Sequence, residues 1–168
     1  MKRTGGVFRL RQDFGARGRH LVLVDIENIL GMQRVSTTAV SWARVTLRRL
    51  LVLGDLDLIV IGASHSGNAV AAGLAWPETR LVLKPGPNGA DLGLLEAMAE
   101  DVPGRFTGLT LVSGDGIFTD AVAALAGCGV PTTVIARVGS LSKRLQLAAT
   151  NITCISTPVW ESSEGWVA

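Results

Sequence analysis

Residues 20–25 read HLVLVD, four aliphatic residues in an unbroken run between a histidine and an aspartate. A short run without polar alternation is the pattern of a strand covered on both faces, as in a parallel sheet. The same pattern recurs outward from it: DLIVIGA (57–63), RLVLK (80–84), LTLVSG (109–114), VPTTVIA (130–136) and NITCIS (151–156). Helix-like segments lie between these runs. Ser36 or Thr37 is placed to cap a helix through WARVTLRRLLVL, whose apolar residues recur at three and four and which Gly54 stops. SGNAVAAGLA is a short helix ended by Pro77, ADLGLLEAMAED an amphipathic one broken by Pro103 and Gly104, and IFTDAVAALAGCG a third ending in glycines. SLSKRLQLAA, capped by Ser140, is the last. Strands alternating with helices give a doubly wound α/β domain, a parallel sheet with crossover helices on both faces.

The chain has 168 residues, enough for about one domain at roughly 150 residues each. We place that domain at residues 20–156, after a basic arm at 1–19 and before a tail at 157–168. Hydrophobic residues make up 48% and charged ones 18%, with a mean hydropathy of +0.37, which excludes a disordered chain. No stretch approaches about 18 uninterrupted apolar residues, and the basic start lacks the apolar run of a signal peptide. A cytoplasmic protein with no membrane partner is therefore expected. Cys128 and Cys154 fit neither a CxxC zinc pair nor a disulfide framework, and both are expected as buried small apolar residues. The net charge is only +2, yet Lys2, Arg3, Arg9, Arg11, Arg17 and Arg19 place six of the 16 basic residues in the arm.

In open parallel sheets ligands bind beyond the carboxyl ends of the strands, so polar residues there carry the most weight. Asp25 ends the first strand, Asp115 follows the fourth, and Asp91 opens the helix leading into the fourth. Asp120 lies about a turn and a half beyond Asp115 along the next helix. Asp91 and Asp115 also suit helix capping or the helix dipole, and Asp120 suits an exposed first turn. Asp25 resists such explanations, because a carboxylate ending a continuous apolar strand is costly to desolvate without a cation or donor. No basic residue neighbours these acids in sequence, so their convergence would raise their pKa values, a cost that a divalent ion removes. Oxygen donors of this kind suit Mg²⁺ or Mn²⁺ and metal-assisted phosphodiester hydrolysis.

Absent motifs narrow the field. There is no GxGxxG, no GxxxxGK[ST] and no GxSxG, and the two histidines, His20 and His65, are too few for a histidine-based zinc site unless carboxylates complete it. His65 follows the second strand and is a candidate substrate contact.

The blocks LVLVDIENIL, GADLGLLEAM, LVSGDGIFTDAVAALAGCGV and SLSKRLQLAA resemble the successive motifs of the NYN domain, a family of PIN-like nucleases, over residues 20–156. That resemblance implies a Rossmann-like three-layer α/β/α sandwich with a central, mainly parallel sheet. It further implies Mg²⁺- or Mn²⁺-dependent cleavage of RNA at an acid cluster. Asp25 matches the first acid of the pattern, Asn28 the polar residue three positions on, Asp91 the acid of the middle helix and Asp115 that of the SGD turn. Ser113 matches the hydroxyl of that turn, placed to hold a phosphate or position Asp115. Many family members carry a second acid two residues after SGD, where this chain has Ile117; Asp120 is the carboxylate expected in its place. Glu27 shares the side of Asp25 if the strand continues, and is a secondary candidate.

The expected activity is thus that of a divalent-metal-dependent ribonuclease, with Asp25, Asp91 and Asp115 holding metal and Asp120 assisting. Two alternatives belong to other classes. In one the acid site is degraded, Ile117 being the feature that favours this, and the arm with Arg44, Arg48 and Arg49 grips RNA phosphates. In the other the domain is a protein-interaction module or homo-oligomer, with Trp160 and Trp166 as the contact.

Overall fold

The computed structural model of the protein describes residues 18–160. The arm up to residue 17 and the tail from residue 161, including Trp166, lie outside the described residues. β1 (His20–Asp25) is buried along its whole length because it sits at the centre of the sheet, with β2 (Leu58–Ala63) on one side and β4 (Gly108–Val112) on the other. β3 (Arg80–Leu83) pairs outside β2, while β5 (Thr132–Arg137) and β6 (Asn151–Ile155) extend the other half. The order is β3-β2-β1-β4-β5-β6 and every pairing is parallel. This is a Rossmann-like three-layer sandwich. The strand order reverses between β1 and β4, so their carboxyl ends flank the crevice where such sheets bind ligands.

Strand alternation sorts the core into two layers. Val22 and Val24 face α1 (Ile26–Leu30), α2 (Thr37–Leu50) and α3 (Ser66–Ala75), packing with Ile29, Val40, Leu47 and Trp76. Leu21 and Leu23 face the opposite layer, with Leu94 of α4 (Gly89–Met98) and Val122 of α6 (Thr119–Gly127). A short α5 (Val102–Arg105) and α7 (Lys143–Ala148) complete that side. Among the described residues no helix is long and apolar enough to cross a membrane.

Several local expectations are corrected. α1, a single turn directly after β1, has too few residues to show helical periodicity in the sequence. α2 ends at Leu50, before Gly54, because Leu51 turns to an extended conformation. Pro103 does not break α4, which ends at Met98; it sits in the first turn of α5, where a missing N–H costs nothing. Ser142, not Ser140, precedes α7, and the Ser140 hydroxyl donates to the Arg137 carbonyl at 2.8 Å. Cys128 and Cys154 are both exposed, one just past the end of α6 and the other on the outer edge strand β6. Trp160 folds back edge-on against Trp42, with ring centroids 5.9 Å apart.

One close approach positions the site. Gly62 stands beside Asp25 in the β1–β2 register, and a Cβ there would meet Leu94 Cγ at 2.7 Å and the Ala90 carbonyl at 2.9 Å. The absence of a side chain lets the first turn of α4, which carries Asp91, settle onto the sheet beside the end of β1. Gly62→Val is expected to push that turn outward and cost about 1–3 kcal/mol, readable as a lower midpoint in urea with unchanged slope.

Candidate metal and phosphate site

Asp25 has two structural duties. It caps α1, its Oδ1 accepting from the Asn28 N–H at 3.1 Å, and its Oδ2 accepts from the Ser113 hydroxyl at 3.2 Å. Being in phase with Leu21 and Leu23, it projects toward α4. There its carboxyl comes within hydrogen-bonding reach of Asp91. Both residues are buried, Asp25 at 4% and Asp91 at 7% exposure. Burial, followed by the Asp91 contact, raises the Asp25 pKa to about 8. Asp91 is also raised, first by burial, with Asp115 and Glu27 adding repulsion.

Asp115 caps the 3-10 turn Gly116–Phe118 through the Ile117 N–H at 2.9 Å, while its own N–H donates to Ser113 Oγ at 3.3 Å. Asn28 Oδ1 accepts from the Gly114 N–H at 3.0 Å, tying the end of β1 to the turn after β4. Glu27 is turned by α1 out of the strand direction and is held by three donors. Its Oε1 accepts from the Ser64 N–H at 2.8 Å and Asn68 Nδ2 at 2.7 Å, and its Oε2 from the Ser64 hydroxyl at 2.6 Å. Asn68, buried in α3, also bonds the Gln33 carbonyl and the Val35 N–H, so it fixes Glu27 against the loop after α1.

Asp25, Glu27, Asn28, Asp91 and Asp115 thus border one crevice of about 200 Å³, joined by Ser64 and Asn88. Ser113 lies fully buried beneath it. Ser64 and Asn68 are the residues that sequence reasoning missed; their signal was the SHSGN stretch at the carboxyl end of β2, next to β1. None of the four acids takes part in an ion pair among the described residues.

Other candidates are not brought here. Asp120 points to solvent, its side chain 92% exposed and 3.6 Å from Arg144. Arg44 and Arg48 lie in the second half of α2, which runs from the carboxyl rim toward the opposite end of the sheet, and both pair with Glu78. His65 is exposed at the start of α3 and does not line the crevice. Arg19, the last residue of the arm, is fixed at the amino end of the sheet, its Nε donating to the Leu56 carbonyl at 2.9 Å. Asp120→Ala is accordingly expected to change stability by less than about 0.5 kcal/mol and to leave the midpoint of a Mn²⁺ titration where it is in the parent.

No family model matches the chain, and no curated protein matches it. Among solved structures it is similar to the crystal structure of a protein of unknown function from Vibrio parahaemolyticus, at 20% identity and a TM-score of 0.59, over 83% of this chain and 93% of that one. A likeness at that identity establishes the shared fold.

Proposed function

We propose that the crevice binds Mg²⁺ or Mn²⁺ and that the protein hydrolyses RNA phosphodiester bonds there, in keeping with the resemblance of its motifs to NYN domains. The observation that carries this is the buried Asp25–Asp91 pair at the switch point of the sheet, bordered by Glu27 and Asp115, with no cationic side chain paired to any of the four. Such crowding opposes folding of the bare protein and is relieved by a cation. The donors are all oxygen, which suits a hard divalent ion. Among the described residues no three His, Cys, Asp or Glu side chains form a ready-made ligand group. Mg²⁺, however, commonly takes one or two carboxylates and keeps waters for the rest, so Asp25 and Asp91 fit as direct anchors with Glu27 and Asp115 at the border.

A bound divalent ion supplies charge neutralisation at phosphoryl oxygens and an acidified water. The chain's own residues supply orientation. Ser113 and the Asn28 N–H fix the Asp25 carboxyl, Ser64 and Asn68 fix Glu27, and Asn28 Nδ2, which has no hydrogen-bond partner among the described residues, is available to a phosphate oxygen. Attack by water needs no protein nucleophile.

The test is a Mn²⁺ titration followed by thermal melting, alongside cleavage of a single-stranded RNA with Mn²⁺ or with EDTA. Saturation near 100 times Kd is expected to stabilise the protein by about 2.7 kcal/mol, and cleavage should need the metal. A second reading, RNA binding without hydrolysis, is favoured by Ile117 and by the outward course of Asp120. Oligonucleotide binding with no Mn²⁺ shift and no cleavage would select it.

A further inference from the structure

A second cleft, of about 470 Å³, opens on the same rim of the sheet, beyond the carboxyl ends of β5 and β6. It is lined by the C-terminal end of α1, by Arg137 at the end of β5, and by residues 156–160. Arg137 is half-buried, and its Nε is fully buried without a hydrogen-bond partner. No carboxylate among the described residues pairs with its guanidinium. The end of α1 does not answer that charge through hydrogen bonds either. The Asn28 and Glu27 carbonyls there are taken by the N–H groups of Gly31 and Met32 at 3.1 Å each.

The guanidinium is instead seated by packing. Gly31 closes α1 in the left-handed region at φ 65°, and a Cβ at that position would lie 3.1 Å from Arg137 Cζ and 3.2 Å from Nε. The arginine therefore lies flat over a residue that offers it no side chain, at the mouth of a cleft also walled by Trp160. A desolvated cation held without a counter-charge is costly, and the cost is recovered when an anion arrives. A guanidinium fork matches the paired oxygens of a phosphate. The indole of Trp160, held edge-on by Trp42, gives an apolar wall of the kind a base or sugar packs against.

We propose that this cleft is a phosphate subsite for a nucleic-acid strand, with Arg137 holding a phosphate that flanks the one at the acids. The assignment rests on the RNA reading given above. α1 links the two places, with Asp25 and Asn28 at one end and Gly31 over Arg137 at the other. Five helical residues advance roughly 7 Å, so one strand lying along the rim reaches both.

The experiment measures binding of a single-stranded oligonucleotide in EDTA, where cleavage does not enter, by quenching of tryptophan fluorescence across a salt series. The Trp160→Phe variant identifies the reporting indole. Arg137→Met, which keeps much of the side-chain volume, is expected to weaken binding roughly tenfold and to reduce the salt slope by about 0.7, with a melting temperature no lower than the parent's. Arg137→Lys, which keeps the charge without the fork, should fall between. Equal affinity and slope in the parent and in a folded Arg137→Met would overturn the subsite. Arg137-dependent quenching by an acidic peptide, with none by the oligonucleotide, would overturn it in favour of a protein partner. Arg137-dependent binding in a parent that fails to cleave RNA with Mn²⁺ would support the subsite while overturning hydrolysis, so the two failures are distinct.

Discussion

Asp25→Asn is expected to raise the melting temperature at pH 7 by roughly 5–10 °C while abolishing both Mn²⁺-linked stabilisation and RNA cleavage. The gain follows from the raised pKa. In the folded protein Asp25 holds its proton up to about pH 8, whereas in the unfolded chain it ionises near its ordinary value of 3.8. Folding at neutral pH must therefore take up a proton against the solution. The contribution of Asp25 to stability is complete below pH 3.8 and is lost as the pH rises through that window toward 8. At about 1.4 kcal/mol per pH unit above 3.8, the penalty at pH 7 is on the order of 4 kcal/mol. An asparagine removes it at little structural cost. Its oxygen still caps the Asn28 N–H, since Asn and Asp cap equally well, and its amide nitrogen, standing where Oδ2 was, donates to Asp91 and to the Ser113 oxygen, whose hydroxyl hydrogen turns away. The stabilisation should accordingly grow with pH between 4 and 8 when variant and parent are melted side by side. A variant that melts lower than the parent across that range would make Asp25 a structural cap and sink the metal reading.

The centre of the sheet was legible because its chemistry is unambiguous. HLVLVD has no helical alternative at that length beside five similar runs, and β1 spans the same six residues in the structure. The meeting of Asp25 with Asp91 and Asp115 was legible for a related reason: strand ends and first helical turns in a doubly wound sheet share one rim. Depth was harder to read. Arg44 and Arg48 are phosphate contacts on the sequence reading, but the sequence pattern does not state how far along a helix the rim is left behind. Both stand more than one turn past the start of α2, on the descending half. Asp120 shows the complementary failure. It lies in the first turn of α6 and therefore near the rim, yet it faces outward toward Arg144. Glu27 was undervalued because α1 is too short to announce itself, and only that turn redirects the side chain onto Ser64 and Asn68. The two cysteines illustrate composition overruling position, since a small apolar residue was expected inside, while an edge strand and a helix end left both in water.

Between pH 6.5 and 4 a second buried group is expected to act in the opposite direction. His20 opens β1 at the amino end of the sheet, is 2% exposed, and has Nε2 within 2.8 Å of the Thr110 hydroxyl on the neighbouring strand. Burial lowers its pKa to about 4, against a smaller raising influence from Asp57, whose carboxylate also accepts from the His20 N–H at 2.7 Å. The folded protein thus keeps His20 neutral where the unfolded chain would protonate it. Its contribution to stability is complete above pH 6.5 and is lost as the pH falls toward 4, amounting to about 3 kcal/mol once both states are protonated. Asp25 lies five strand residues away, roughly 17 Å, and holds its proton up to about pH 8, so in the folded protein it carries no charge to disturb His20 between pH 4 and 7. The parent profile contains both slopes, and Asp25→Asn leaves that of His20 exposed. In that background His20→Leu should flatten the acid limb. A hydrophobic side chain also strands the Thr110 hydroxyl, which lowers stability by about 1–3 kcal/mol at every pH without altering the slope. The readout is therefore the pH dependence of the unfolding free energy from pH 4 to 7. An acid limb of equal steepness with and without His20 would show that the imidazole is not the group that protonates on unfolding.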